Sequence, residues 1–280
     1  MERHEKDTNS RLLMFDGHAL AFHSWFTSIP SRVTSGFFDL FTEAIEKYTP
    51  THVVVTFDPA PPTFRHLIFP KYKGNRPPVP EGLLEECDEV RNTLQAQGIQ
   101  SISVAGYEAD DVLGTLSKQA SMVGFEVVII TCDLDLLQLV SNSIKVEVFS
   151  QYWATRVFGV DAAKRRFGGL EIASIPDYKA LVGDKSDNYP GICGIGDRTA
   201  LTLLSKFGHL EGIYDNLENV CELPLRGAKR VYQLLNDNRE YVFMMRTLAT
   251  INSDVFPDQE YDLGMMKYPE QLYQSTYAPA

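Results

Sequence analysis

The chain of 280 residues has few cysteines, and none of them stands in a pairing pattern. No CxxC motif occurs, and the six histidines show no HExxH spacing. These absences exclude a zinc ribbon and leave no disulfide framework, so we expect reduced thiols in a cytoplasmic protein. The four cysteines are Cys87, Cys132, Cys193 and Cys221.

Long apolar runs are also missing. No segment reaches the length needed to cross a bilayer, and residues 1–10 are polar and charged, unlike a signal or transit peptide. A hydrophobic content of 44% nevertheless supports a globular core. We therefore expect a cytoplasmic monomer with no membrane partner.

An excess of positive charge, the usual mark of a nucleic-acid-binding protein, is absent as well. The formal net charge is −11, from 26 basic and 37 acidic residues. Nine of the acidic residues belong to the motifs described next, which leaves 28 acidic residues against 26 basic ones. Outside these motifs the chain is nearly neutral, so the net charge is weak evidence against a DNA partner.

Acidic side chains gather at the ends of apolar runs. A single aspartate at such a position is usually a helix cap or a turn residue. Capping, however, explains only one acid of the Glu-Ala-Asp-Asp motif, and unpaired buried carboxylates are costly. The set therefore predicts two divalent cations, Mg²⁺ with Mn²⁺ as a substitute. Its members are Asp16, Asp58, Glu108, Asp110, Asp111, Asp133, Asp135, Asp184 and Asp187.

The first part of the chain alternates β-rich runs with helical patterns. Strands are predicted at 52–57 and 125–131, and helices at 81–97 and 108–122. Continuous apolar strands separated by helices indicate an α/β fold with a mostly parallel sheet flanked by helices. Because sites in such sheets form at the carboxyl ends of strands, the acids distant in sequence are expected to meet there.

From about residue 170 the pattern changes to helices joined by glycine-rich turns. We predict helices at 174–182 and 197–207, with Gly194 and Gly196 just before the second. An ordinary helical turn also uses glycine, but the spacing resembles a helix–hairpin–helix that binds DNA phosphates without reading sequence. Arg198 and Lys179 add positive charge there. Residues 1–170 and 171–280 are therefore expected to form an α/β domain and a helical DNA-binding region.

The stretch between Pro59 and Pro80 holds basic and aromatic residues and no acidic one. Arg65, Lys73 and Arg76 alternate with aromatic rings such as Tyr72. This composition suits a single strand of nucleic acid, with rings stacking on bases and cations near phosphates. A charged surface loop is the alternative, and the position directly after Asp58 favours substrate handling.

Several ordered motifs resemble the 5′-nuclease (flap endonuclease) superfamily, above all the 5′–3′ exonuclease domain of bacterial DNA polymerase I. The resemblance runs from about Leu12 to Asn252. The motifs include PTHVVVTFD at 50–58, YKGNRPPVP at 72–80, GYEADDVLGTL at 106–116, TCDLDLLQLV at 131–140 and LVGDKSDNYPGICGIGDRTA at 181–200.

The resemblance implies a role for each matching residue. The nine acids match metal-binding carboxylates, with Asp135, Asp184 and Asp187 nearer the second ion. Lys73 matches an active-site lysine at the base of a helical arch near 60–97, and Arg76 matches a phosphate contact. It also implies that Tyr72 stacks on a nucleotide, and that DNA contacts come from Arg65, Lys179, Gly194, Gly196 and Arg198. Family members often hold K⁺ in the hairpin through backbone carbonyls.

The implied activity is Mg²⁺-dependent hydrolysis of DNA at 5′ ends, flaps or junctions. Leu134 replaces a lysine that is common in the family, and Arg198 replaces a frequent lysine, but no carboxylate is missing. No polymerase domain follows, so a DNA polymerase is expected to act in trans. The main alternative is a non-catalytic branched-DNA-binding protein; an RNA-directed nuclease and a small-molecule phosphatase are weaker ones.

Overall fold

The computed structural model describes residues 10–27, 33–150, 155–256 and 261–272, and divides the chain into two units. Unit 1 comprises residues 1–60, 78–159 and 252–280, and unit 2 comprises residues 61–77 and 160–251. Residues 1–9, which bear on the signal-peptide expectation, lie outside the described part. Residues 61–77 thus group with the helical unit, and the described residues after 251 group with the first unit, while the division expected at 170 stays a prediction.

Unit 1 is built on one six-stranded sheet. Its strands are β1 (Arg11–Asp16), β2 (His52–Thr56), β3 (Gln100–Ile102), β4 (Glu126–Thr131), β5 (Ile144–Val148) and β6 (Arg156–Phe158). Their order is β3-β2-β1-β4-β5-β6, and every pairing is parallel except that between β5 and β6. The predicted α/β fold with a mostly parallel sheet is confirmed.

Four helices of the described residues accompany this sheet: α1 (Gly17–Thr27), α2 (Val33–Tyr48), α4 (Leu83–Ala96) and α5 (Ala109–Met122). Phe37, Phe41 and Ile45 recur at helical spacing on α2 and are buried against Phe15 of β1 and Val53 of β2 in one core cluster. A parallel strand buried on both faces needs such cover, which explains the continuous apolar composition of β1 and β4.

The strand order places a switch point beside β1. The chain runs from β1 outward to β2 and β3, and then returns to β4 on the other side of β1. Side chains at the carboxyl ends of β1 and β4 therefore lie next to a crevice where the connections part in opposite directions. Asp16 ends β1, and Asp133 follows β4 by two residues.

Unit 2 is helical. Its helices are α3 (Phe64–Ile68), α6 (Val160–Arg166), α7 (Ile175–Val182), α8 (Asp197–Phe207), α9 (Leu210–Asp215), α10 (Ala228–Asp237) and α11 (Arg239–Ala249). Helix α7 packs against both α8 and α11. No helix among the described residues of either unit is long and apolar enough to cross a membrane.

Candidate functional site

Asp16 lies at the switch point of unit 1 with both carboxylate oxygens engaged. Its Oδ1 accepts the N–H of Ala19 at 3.1 Å, and its Oδ2 accepts the hydroxyl of Thr131 at 2.8 Å. The side chain is buried. Burial, together with the nearby charge of Asp58 and to a lesser extent that of Asp133, raises the pKa of Asp16 to about 7 against the opposing effect of those two hydrogen bonds. A cation close to Asp16 would relieve this cost.

The carboxylates of Asp58 and Asp133 each accept a hydrogen bond from a backbone N–H group. Oδ1 of Asp58 accepts the N–H of Ala109 at 2.7 Å, and the N–H of Asp58 donates to Nδ1 of His18 at 2.9 Å. His18 also meets the ring of Phe57 edge-on. Oδ1 of Asp133 accepts the N–H of Asp135 at 2.7 Å.

These carboxylates influence one another without forming a finished metal site. In the described parts of the chain, no three Asp, Glu, His or Cys side chains stand together as metal ligands. Oxygen donors around a buried aspartate nevertheless suit a hard divalent cation, which would draw them together. The donor set of unit 1 thus fits such an ion by its chemistry.

The start of α5 separates the roles of the three acids in the Glu-Ala-Asp-Asp motif. Glu108 caps the helix, and its N–H donates to Oδ2 of Asp111 at 2.9 Å. Oδ1 of Asp111 accepts the N–H of Asn252 at 2.8 Å, and Asp111 is 0% exposed. The two oxygens of Asp111 thus hold two backbone amides in place, and its predicted metal binding stays a prediction. Asp110, by contrast, is half-buried.

In unit 2, Asp184 and Asp187 lie in a loop that closes on itself. Asp184 and Tyr189 form an antiparallel bridge, with N–H to carbonyl distances of 2.8 and 3.0 Å. Oδ2 of Asp184 meets Nζ of Lys179 at 2.5 Å, and its Oδ1 accepts the N–H of Ser186 at 2.7 Å. Burial opposes ionisation, but the charge and hydrogen bond of Lys179, with help from Ser186, lower the pKa of Asp184 to about 2.

Asp187 holds two residues of the basic segment. Its Oδ2 accepts the hydroxyl of Tyr72 at 2.8 Å, and its Oδ1 accepts an N–H of Arg76, also at 2.8 Å. Tyr72 is buried in this structure, and its stacking on a nucleotide stays a prediction. Lys179, expected to contact DNA, has a largely buried side chain and is paired with Asp184.

Arg65, a predicted DNA contact, is buried in this structure and bound to backbone carbonyls. Its guanidinium donates to the carbonyl of Leu248 through Nε and to that of Thr250 through an Nη, both at 2.9 Å. It is 3% exposed. An arginine buried in this way completes the carbonyls at the end of α11 and cannot reach a phosphate without breaking those bonds. The sequence could not show this, because the partners lie more than 180 positions away.

The predicted hairpin is present between α7 and α8. Ile192 and Ile195 are buried, while Gly194 and Gly196 between and after them are exposed. Gly196 is the N-cap of α8, so the first amides of that helix face solvent beside the exposed Arg198. This arrangement can bind an anion through backbone N–H groups and a guanidinium.

One basic residue near the hairpin was not singled out from the sequence. A Cβ placed on Gly194 would lie 3.9 Å from an Nη atom of Arg230 on α10. The signal available was the position of Arg230 directly after Lys229 in the first turn of the amphipathic helix α10. Arg230 therefore joins Arg198 among the cations around the exposed hairpin glycines.

Comparison with known families now bears on both units. The model of the 5′–3′ exonuclease N-terminal, resolvase-like domain matches residues 11–168. The model of the 5′–3′ exonuclease C-terminal SAM fold matches residues 170–271. The chain belongs to the 5′–3′ exonuclease family. The resemblance inferred from the motifs is confirmed, and the family is one of nucleases that act on DNA.

Curated relatives of this family member are named DNA polymerase I. The protein of Lactococcus lactis subsp. lactis is 35% identical over 262 residues, covering 88% of this chain and 29% of the relative. That of Pseudomonas aeruginosa is 39% identical over 247 residues, covering 88% of this chain and 26% of the relative. The chain spans less than a third of the length of these relatives.

Solved structures share the fold of this exonuclease family member. T5 5′-exonuclease with bound zinc has a TM-score of 0.73 at 22% identity, covering 88% of this chain and 91% of that one. The catalytic core of Rad2 in complex with a DNA substrate has a TM-score of 0.59 at 17% identity, covering 97% and 87%. The first structure is described with a divalent metal ion and the second with DNA, which are the two kinds of ligand expected here.

Proposed function

We propose that this chain is a Mg²⁺-dependent 5′–3′ exonuclease and flap endonuclease that hydrolyses phosphodiester bonds at 5′ ends or flaps of branched DNA. The observation that carries the proposal is the burial of Asp16 at the switch point of the sheet, with the charges of Asp58 and Asp133 beside it. A folded protein tolerates such a group when a cation belongs there.

The acids of unit 1 are the proposed ligands. Asp16, Asp58 and Asp133 would hold a divalent ion, with Glu108, Asp110 and Asp135 completing the oxygen donors. When bound, Mg²⁺ or Mn²⁺ supplies an activated water and stabilises charge on the phosphate. Two ions are proposed on the resemblance to the family. Asp184 and Asp187 are bound to groups of their own unit here, so the proposal rests on unit 1.

The other residues would position DNA. Arg76 is half exposed and lies one turn from Lys73, so the pair can place a guanidinium and an ammonium near one phosphate. The exposed amides at Gly194 and Gly196, with Arg198, would hold a duplex backbone without reading bases. K⁺ in the hairpin is proposed on the family resemblance alone.

A polymerase partner is also proposed. The matching region of the curated relatives lies in longer proteins named DNA polymerase I. Removal of a 5′ end or flap suits a step taken beside strand synthesis, which supports the proposal that such a polymerase acts with this chain.

A 5′-labelled flap duplex tests the function. The pure chain is incubated with Mg²⁺, with Mn²⁺ and with EDTA, beside Asp133→Asn and a control, Asp161→Asn, at an exposed acid of α6. We expect metal-dependent cutting near the junction, lost by about a hundredfold or more in Asp133→Asn and kept in the control. Binding without cutting in either metal would favour the non-catalytic branched-DNA-binding protein.

A further inference from the structure

The turn at residues 71–76 is fastened to the loop at 184–188 by hydrogen bonds to backbone carbonyls within unit 2. The N–H of Lys73 donates to the carbonyl of Asp187 at 2.9 Å. Nδ2 of Asn75 donates to the carbonyl of Lys185 at 2.7 Å, and Nδ2 of Asn188 donates to that of Lys71 at 2.6 Å. Three bonds from three different positions fix the turn along its length.

The Asp187 carboxylate adds the side-chain part of this attachment. Each oxygen accepts from a different side chain: Oδ2 from the Tyr72 hydroxyl and Oδ1 from Arg76. Its side chain is 14% exposed. Hydrogen bonds to an ionised carboxylate out of water are stronger than neutral ones, so these two bonds are the strong part of the attachment.

Lys73 stands between those two donors in a strained conformation. Its φ of +54° is in the left-handed region, which a non-glycine residue adopts only at an energetic cost. Such a conformation persists only when its surroundings hold it. Here Tyr72 and Arg76, which lie on either side of Lys73 in the chain, both donate hydrogen bonds to the Asp187 carboxylate. The N–H of Lys73 itself donates to the backbone carbonyl of Asp187.

We propose that Asp187 is a positioning residue that fixes the 71–76 turn and thereby sets the placement of Lys73. This role differs from that of Asp184, whose carboxylate accepts from Lys179 and from its own loop. The resemblance gives both acids one role; the contacts give Asp187 a second one. The consequence for catalysis rests on the proposed function, whereas the attachment itself does not.

Amide hydrogen exchange on the metal-free chain in EDTA tests the attachment. The readout is the amides of Tyr72, Lys73, Gly74 and Arg76, which are all hydrogen-bonded in this structure. We expect Asp187→Asn to speed their exchange about tenfold, and Tyr72→Phe to do so by a smaller factor. Asp161→Asn, at an exposed acid of α6 outside both the turn and the loop, is the control and should leave these amides close to wild type, while amides of β1 and β4 report that each variant is folded.

Equal acceleration in Asp161→Asn and Asp187→Asn, or none in Asp187→Asn and Tyr72→Phe, would overturn the attachment. Because no metal or DNA is present, this result is independent of whether the chain is a nuclease. Tyr72→Phe keeps the carboxylate intact, so it remains informative if Asp187→Asn fails to fold.

A second measurement asks whether the attachment acts through Lys73. Single-turnover cleavage of the flap duplex is compared for Tyr72→Phe, Lys73→Met and the double variant. We expect Tyr72→Phe to slow cleavage about tenfold when Lys73 is present and to add little when it is Met, with unchanged flap affinity. Full additivity of the two changes would show that Lys73 is not what the turn positions.

Discussion

The N–H of Asn252 donates to Oδ1 of Asp111 across 2.8 Å, and this bond joins the start of α5 to the chain where it re-enters unit 1. Thr115 extends the junction: its hydroxyl donates to the carbonyl of Asp111 at 2.9 Å and accepts the N–H of Val255 at 3.0 Å. An acid that the motif assigns to metal binding thus closes the fold of its own unit.

Asp111→Asn should destabilise the protein even without metal. One amide of the pair at Glu108 and Asn252 would face an NH₂ group in place of a carboxylate oxygen, at a cost of about 1–3 kcal/mol in the free energy of unfolding. Urea unfolding in EDTA measures it. Asp161→Asn, at an exposed first-turn acid, should change stability by no more than about 0.5 kcal/mol. If Asp111→Asn left stability unchanged but abolished cation binding, Asp111 would act as a metal ligand rather than as a structural residue.

We expect Arg65 to contribute to the stability of the fold rather than to DNA binding, and Arg198 to contribute to DNA binding rather than to stability. Arg65→Met removes buried donors from the carbonyls of Leu248 and Thr250, so we expect a loss of about 2–3 kcal/mol in stability. The slope of log K for DNA against log salt should stay unchanged. Arg198→Ala should leave stability within about 0.5 kcal/mol and reduce that slope by about 0.9. A reduced slope in a folded Arg65→Met protein would show that Arg65 meets phosphate.

The pH dependence of stability should carry opposite contributions from two acids around Arg246. Burial raises the pKa of Asp177, against its bond from the N–H of Leu210 and the charge of Arg246. The folded chain then holds this proton more tightly than the unfolded chain, so stability falls as the pH rises above about 4. Burial of Glu211 is outweighed by the hydrogen bond and charge of Arg246, which lower its pKa, so its contribution is lost as the pH falls.

The two substitutions Asp177→Asn and Glu211→Gln measure these contributions. Between pH 4 and 7, stability relative to wild type should rise with pH in Asp177→Asn. In Glu211→Gln it should fall. Urea unfolding at intervals of half a pH unit gives both curves, and slopes of the same sign would contradict the assignment.

The loop that carries Asp184 depends on two glycines whose backbones touch. A Cβ on Gly191 would lie 2.3 Å from the N of Gly183, at a φ of +61°. Gly191→Ala should therefore cost roughly 3 kcal/mol or more. Gly169 also has a positive φ, +90°, but open space around its Cβ position, so Gly169→Ala should cost only about 1 kcal/mol. Equal costs in thermal unfolding would mean that the contact is unimportant.

Elements with strong periodicity were predictable from the sequence. Helix α8 begins and ends at the predicted residues, and the strand predicted at 52–57 is β2 at 52–56. Strand β5 was not predicted, although Ile144, Val146 and Val148 alternate with two charged residues; one of these, Glu147, is buried and bound by Lys47 at 2.7 Å. A charge that is neutralised by a residue 100 positions away cannot be recognised from its neighbours.

The same distinction, between local sequence pattern and distant partners, applies to the residues of the candidate site. The sequence places Asp16 and Asp133 correctly at strand ends, because strand ends follow from local pattern. The buried roles of Asp111, Arg65 and Tyr72 come from partners at separations of more than 100 residues. Residue types and motifs indicate where charged and polar side chains are concentrated, whereas only the fold shows which of them are already bonded to other groups of the protein.

The packing of Tyr268 has a consequence for folding during synthesis of the chain. Its N–H donates to the carbonyl of Thr51 at 2.9 Å, and its ring belongs to the core cluster under β1 and β2. The ribosome has delivered the last strand of the sheet by residue 158, yet it reaches Tyr268 only about 110 residues later, after roughly 5–20 s of translation. During that interval the nascent sheet has an open place in its core, so a nascent chain stalled before residue 268 should be the form that chaperones and proteases engage.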